Sequence, residues 1–229
     1  MLPTVDRDRG NEPDVSFVVP AADEEAYLRG TLASIVALDT AYEYELIVVD
    51  GDSSDATPAI AREYDAMVCS QREGGIGAGR HLGAEAARGE WLAFVDADTV
   101  LRAAYLTRML GYVEAEGLAG ASSYCRMTGP LRAKVMEATI NCVFPRLDRP
   151  ILPGFNCFVH RAAYEAVGGF PDVPNEDTAF SRELARHAPT GYCPAVLVEN
   201  SGRRIAESGL TGTAWHYATL DVGRIRSGY

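Results

Sequence analysis

Between residues 15 and 95 the chain alternates four short apolar runs with helix-like stretches, and this alternation restricts its fold more than any other feature. The runs are VSFVVP (15–20), YELIVVD (44–50), AMVCS (66–70) and WLAFV (91–95), each of strand length. Between them lie EEAYLRGTLASIVAL (24–38), DATPAIAREY (55–64) and GIGAGRHLGAEAARG (75–89), which read as helices. Pro58 is tolerable there only in a first turn. A β-α-β-α-β-α-β order with nearly continuous apolar strands predicts an α/β fold whose mostly parallel central sheet is covered by helices on both faces. Ligands bind such sheets outside the carboxyl ends of the strands. Acids collect at that edge: Asp23 after the first strand, Asp50 and Asp52 after the second, Asp96 and Asp98 after the fourth.

The stretch WLAFVDADTV (91–100) sharpens the point, because a buried strand runs straight into two carboxylates separated by one alanine. In extended backbone Asp96 and Asp98 face the same side, which costs energy unless a positive charge sits between them. The alternative is that Asp98 caps a following helix, for which TVLRAAYLTRML (99–110) offers the pattern. Glu24 and Glu25 read as first-turn acids of the helix at 24–38.

The second half is less regular. LAGASSYCRM (118–127) and YCPAVLV (192–198) read as strands, and FNCFVHRAAYEAVGGF (155–170) as a strand turning into a short helix. Helices are expected at 131–144, 174–188 and 203–220. The helix at 131–144 carries two apolar stripes, Leu131–Val135–Ala138–Cys142 and Met136–Ile140–Phe144. So wide an apolar surface suits either the core or a membrane surface, although Glu137 and the overall acidity oppose anionic lipid.

The net charge of −11 argues against nucleic acid as a partner. Lys134 is the only lysine among 21 basic residues. That bias fits a high-salt cytoplasm, where ions screen self-repulsion, and equally a GC-rich genome. Five scattered cysteines without a CxxC pair fit buried, reduced thiols in a cytoplasmic protein. No apolar run reaches the length needed to cross a bilayer, and residues 1–13 read as a disordered tail rather than a secretory signal. The glycines of GGIGAGRHLG (74–83) cannot be laid on G-x-G-x-x-G, which counts against a nucleotide-dependent oxidoreductase.

Taken in order, VVPAADEE (18–25), IVVDGDSSDAT (47–57), GAGRHLGAEAARGEWLAFVDADT (77–99), HRAAYEAVGGFPD (160–172) and NEDTAFSREL (175–184) resemble glycosyltransferase family 2, on the GT-A fold. The resemblance covers about residues 14–216. It implies a GT-A-type nucleotide-binding sandwich over 14–229, with a donor-binding half at 14–126 and an acceptor-binding half at 127–229. It makes DAD (96–98) the DxD motif, with Asp98 the direct ligand of Mn²⁺ or Mg²⁺ and Asp96 beside it, near the ribose or a metal-bound water. Asp50 would bind the nucleotide base, with Pro20, Ala21 and Asp23 on the donor side. Gly51 stands where a second aspartate is common, and Ala22–Asp23 where an aromatic or leucine and an asparagine are common. Ser54 and Asp55 read as caps of the next helix.

The same resemblance places Arg80 near the donor diphosphate, against the alternative of a surface arginine on a helix. Arg203 and Arg204 would clamp the diphosphate, and His216 would be a third metal ligand, unless it merely packs beside Trp215. In NED (175–177), Asp177 would be the general base and Glu176 a supporting group; the alternative is a pair of first-turn acids. The implied protein is a metal-dependent, inverting glycosyltransferase that moves a sugar from a nucleotide-sugar to a glycan or glycolipid hydroxyl. A second reading is transfer to a polyprenyl-linked phosphate, with peripheral contact at the inner face of the cell membrane. A non-catalytic relative would be expected to have lost Asp98 or Asp177. A nucleotidyltransferase would need a glycine- and arginine-rich loop that the first strand lacks.

Overall fold

The computed structural model describes residues 12–203. Most of the expected N-terminal tail, nearly all of the helix expected at 203–220, Arg204 and His216 lie outside the described residues. Each apolar run of the first half forms a strand: β1 (Val15–Ala21), β2 (Tyr44–Asp50), β3 (Met67–Ser70) and β4 (Trp91–Val95). Their pairings are parallel, and Ala21, Asp50 and Ser70 end in register. Helices α1 (Leu28–Val36), α2 (Thr57–Glu63) and α3 (Ile76–Ala86) make the connections, with Pro58 in the first turn of α2.

Neighbouring strand residues face opposite sides, so Val18 and Phe17 report on the two faces. Val18 meets α3 at Gly83, where an added Cβ would lie 2.3 Å from Val18 Cγ1. Phe17 packs against Tyr105 of α4 (Tyr105–Glu116), with ring centroids 6.3 Å apart. Helices therefore cover both faces, as expected.

The remaining strands are β5 (Thr99–Leu101), β6 (Gly120–Thr128), β7 (Asn156–His160) and β8 (Thr190–Ser201). The eight strands run in the order β3-β2-β1-β4-β7-β6-β8-β5. Pairings β4–β7, β6–β7 and β5–β8 are antiparallel, and β6–β8 is parallel. Thus β4 and β5 sit four places apart in the sheet but are joined by only Asp96-Ala97-Asp98. Four chain steps reach at most about 14 Å, so the sheet must curl until its β8–β5 edge returns to the carboxyl end of β4. This curl puts the DAD segment at a seam where both halves meet.

Three local readings are corrected. Residues 99–101 are strand, not helix: Thr99 pairs with Asn200 and Leu101 with Val198, and α4 starts only at Tyr105 with Ala104 before it. Asp98 is therefore not a helix cap. Secondly, α1 starts at Leu28, because Tyr27 N and Leu28 N close a turn onto Glu24 O. Glu24 and Glu25 precede the helix and are not first-turn acids. Finally, the helix at 131–144 divides into α5 (Leu131–Ala138), a π-turn (Thr139–Val143) and a 3₁₀ turn (Phe144–Arg146).

The π-turn sits opposite an irregularity in β6–β8 at Tyr124/Cys125. There Asn141 accepts from Cys125 N (2.9 Å) and donates to Cys125 O (2.8 Å), on a stretch of β6 beyond Ala121 where its pairing with β7 has ended. Of the two stripes, Met136, Ile140 and Phe144 join the core. Leu131 (80% exposed), Val135 (52%), Ala138 and Cys142 face outward. Cys125, Cys157 and Cys193 are buried thiols, as expected; Cys69 is half-buried and Cys142 exposed.

The second half closes with α6 (Arg161–Ala166), then α7 (Glu176–His187), whose first turn carries Glu176 and Asp177. Phe170 and Phe180 pack on Phe94 and Tyr164 as one aromatic cluster, with centroid spacings of 4.5–5.9 Å. That cluster fixes α7 against the end of β4.

Candidate active site

At the carboxyl edge, the loops after β1 and β2 are zipped together. Gly51 N donates to Ala21 O (2.8 Å). Asp23, in the left-handed region (φ 53°), donates its N–H to Ser53 Oγ and accepts from Ser54 N (2.8 Å) and Ser54 Oγ (3.1 Å). Ala56 N donates to Glu25, and Glu25 N donates to Asp55. Asp55 also accepts from Thr57 N (2.8 Å), so it steadies the start of α2 as expected, while Ser54 serves the zip instead. Asp50 ends β2 nearly buried, one oxygen accepting from Ser53 N (3.3 Å). Pro20 and Ala21 stand beside it at the end of β1.

Arg80, on α3, is 2% exposed, which removes the surface-arginine reading. Its Nη2 donates to Asp96 Oδ1 (2.7 Å) and its Nη1 to Glu176 Oε1. The guanidinium lies 5.4 Å from the Phe170 ring centroid and against Gly154, where an added Cβ would fall 2.4 Å from Cζ. Gly154 N in turn donates to Asp177 Oδ2 (3.3 Å), whose other oxygen accepts from Thr178 N (2.6 Å). One buried cation thus ties the end of β4 to the first turn of α7. Burial alone would lower its pKa, but Asp96, Glu176 and Asp177 outweigh that and raise it. Burial pushes the Glu176 carboxyl up, and Asp177 adds to this against the pull of Arg80. A cavity of about 330 Å³ between the start of α3 and Asp172–Pro174 opens beside Glu176.

A second cluster surrounds Asp98, 5% exposed at its side chain. Asp98 Oδ2 accepts from Arg203 Nε (3.1 Å), and Oδ1 from Asn200 Nδ2 (3.2 Å), which also donates to Thr99 Oγ1 (2.7 Å). The Nη2 of Arg203 donates to both oxygens of Glu24, and its Cζ lies 4.3 Å from the Tyr27 ring centroid. Burial would lower the Arg203 pKa, but hydrogen bonds to Glu24 and Asp98 raise it.

Of the expected residues, Asp96, Arg80, Glu176 and Asp177 form one group, and Asp98, two residues beyond Asp96, forms another with Arg203. Asp50, Pro20, Ala21 and Asp23 line the edge beside them. Glu24, Asn200, Tyr27 and Gly154 were not expected there. Only Glu24 carried a sequence signal, its place directly after β1; Asn200 depends on the β5–β8 pairing. Among the described residues, no group of three or more His, Cys, Asp or Glu side chains forms a metal cage.

A curled, mostly parallel α/β sheet with helices on both faces is a fold shared with solved GT-A structures. The structure of S. aureus TarS 1–349 in complex with UDP-GlcNAc superposes with a TM-score of 0.70 at 19% identity, covering 82% of this chain and 58% of that one. Mannosyltransferase PcManGT from Pyrobaculum calidifontis, in complex with GDP-Man and Mn²⁺, gives 0.69 at 21% identity, covering 92% and 64%. At such identities the likeness establishes the fold. Residues 16–167 match the sequence profile of Glycosyl transferase family 2, and the chain belongs to that family. EpsH of Bacillus subtilis (strain 168) is 41% identical over 103 residues, which span 43% of this chain and 30% of EpsH. The chain therefore aligns with under a third of that relative's length.

Proposed function

We propose that this protein transfers a sugar from a nucleoside-diphosphate donor to an acceptor hydroxyl on a glycan or glycolipid, with inversion and with help from a divalent cation. The observation that carries this reading is the Asp96–Arg80–Glu176 link, which joins a donor-type strand end to an acceptor-type helix start. In this reading residues 14–126 hold the donor and 127–229 the acceptor. Asp50 accepts hydrogen bonds from the base above Pro20 and Ala21, and Asp23 shapes the rim through its bonds to Ser53 and Ser54. Arg203 and Arg204 take the diphosphate. Arg80, with both ends committed, holds Asp96 and Glu176 in place rather than reaching the donor.

The site's chemistry suits Mn²⁺ or Mg²⁺. Both are hard ions content with one or two carboxylates plus substrate phosphate oxygens, and Asp98 and Asp96 supply oxygen donors only. Asp98 would hold the ion directly, with Asp96 beside it and His216 as a third ligand; PcManGT, of the same fold, is described with Mn²⁺ and GDP-Man. When bound, the ion neutralises charge developing on the leaving diphosphate. Asp177 takes the proton of the acceptor hydroxyl as the hydroxyl oxygen bonds to the anomeric carbon and the bond from that carbon to the diphosphate, on the opposite face, breaks.

The exposed stripe Leu131–Val135–Ala138–Cys142 favours one second reading, a polyprenyl-linked phosphate acceptor presented at a membrane surface. No helix among the described residues is long and apolar enough to cross a membrane. The variant Asp177→Asn separates the two. A hydroxyl needs its proton removed, so kcat should fall about 10²–10⁴-fold with donor affinity kept. A phosphate acceptor is already ionised, and the loss should be much smaller. Near-wild-type transfer to a proven hydroxyl acceptor would remove Asp177 as the base.

A further inference from the structure

Glu24 and Asp98 follow neighbouring parallel strands, one after β1 and one after β4, and both side chains are nearly buried (7% and 5% exposed). Two such carboxylates at one point repel each other and lose hydration, so a cation between them is required. That cation is the Arg203 guanidinium, which turns Nη2 to Glu24 and Nε to Asp98. Its other supports are the Tyr27 ring, 4.3 Å from Cζ, and the end of β8 two residues before it, where Arg203 N donates to Ser201 Oγ (3.4 Å). Besides Arg203, a further hydrogen bond fixes the main chain of Glu24 and another meets the side chain of Asp98. Glu24 N donates to Thr57 Oγ1 (2.8 Å), and Asn200 orients Asp98.

We propose that Glu24 is a positioning residue that parks Arg203 against Asp98 as a stand-in for the divalent cation, and that metal binding exchanges the two. This rests on the assignment of Asp98 as metal ligand above. The ion and Nε compete for the same carboxylate, whereas Glu24 is left holding Nη2. The guanidinium released from Asp98 is then tethered at one edge, with its other edge turned to where a diphosphate needs a donor. The planar fork suits both tasks, since it can pair with a carboxylate or a phosphate. Metal entry and arginine delivery become one event, and without the metal Arg203 keeps Asp98 neutralised.

Arg203→Lys tests the exchange at constant charge. A lysine ammonium is a point donor on a flexible stem and cannot span Glu24 and Asp98 as the fork does. Mn²⁺ affinity, read from the free-ion electron paramagnetic resonance signal without any donor, should therefore tighten about tenfold, the worth of one charge-assisted hydrogen bond. In the wild type, the arginine Nε–H resonance that disappears in Arg203→Lys should shift on adding Mg²⁺. A variant affinity within about twofold of wild type, or an Nε–H resonance unmoved by saturating Mg²⁺, overturns the exchange while leaving the metal assignment intact. Failure of the wild type to bind Mn²⁺ at all overturns both.

Discussion

Arg80 shows how one side chain serves fold and site together. It is buried between Asp96 and Glu176 with Asp177 close by. Removing one partner of a buried pair leaves the others as uncompensated charges, at about 3–5 kcal/mol. Arg80→Met should therefore lower unfolding stability at neutral pH by about that amount, measured by urea denaturation. A loss below about 1 kcal/mol would mean that water reaches these carboxylates and that Arg80 does not organise them. Asp96, Asp98 and Asp177 were legible in the sequence because each follows an apolar strand or opens a polar helix, a pattern visible over ten residues. Glu24 looked like an ordinary first-turn acid, and only contact with a residue 179 positions away reveals its partner. Asn200 was silent for the same reason.

At the scale of elements, the strands of the first half were legible because burial on both faces demands continuous apolar runs. The strand Thr99–Leu101 was not, since three residues carry no period and the neighbouring helix pattern runs over them. The break in the helix at 131–144 was also hidden, because the π-turn brings Asn141 onto Cys125, a contact with a different element of the chain. How elements are clamped is seen at Glu45 of β2. It accepts from Ser16 Oγ (2.6 Å) on β1 and from Arg88 N (2.6 Å) and Nε (3.0 Å) after α3.

Burial alone would raise the Glu45 pKa, but these bonds outweigh it and hold the carboxyl below its ordinary 4.5. A depressed folded pKa means that the clamp's stabilisation is present above about pH 4.5 and is lost as pH falls through the folded value. Glu45→Gln should cost about 1–2 kcal/mol at pH 7, allowing for the exposed Arg88, and should flatten the decline in stability as pH falls below about 4.5. Parallel acid limbs for variant and wild type would show that other carboxylates set it.

The whole molecule brings two halves of different regularity to a common seam. A parallel half presents strand ends; a mixed half curls round to set α7 and the end of β8 against them. Its acidity and its outward stripe on α5 belong to the surface, and the DAD segment to the seam. The central claim is that this seam receives a nucleotide-sugar together with a divalent cation. Thermal unfolding with a panel of nucleotide-sugars, each with and without Mn²⁺, tests it most directly. A donor at about 100 times its Kd adds about 2.7 kcal/mol, which for a chain of this size raises Tm by about 5–10 °C. The account predicts such a shift for one nucleotide-sugar, dependent on Mn²⁺ and absent in Asp98→Asn. No shift with any nucleotide-sugar, or an equal shift in excess chelator, would contradict it.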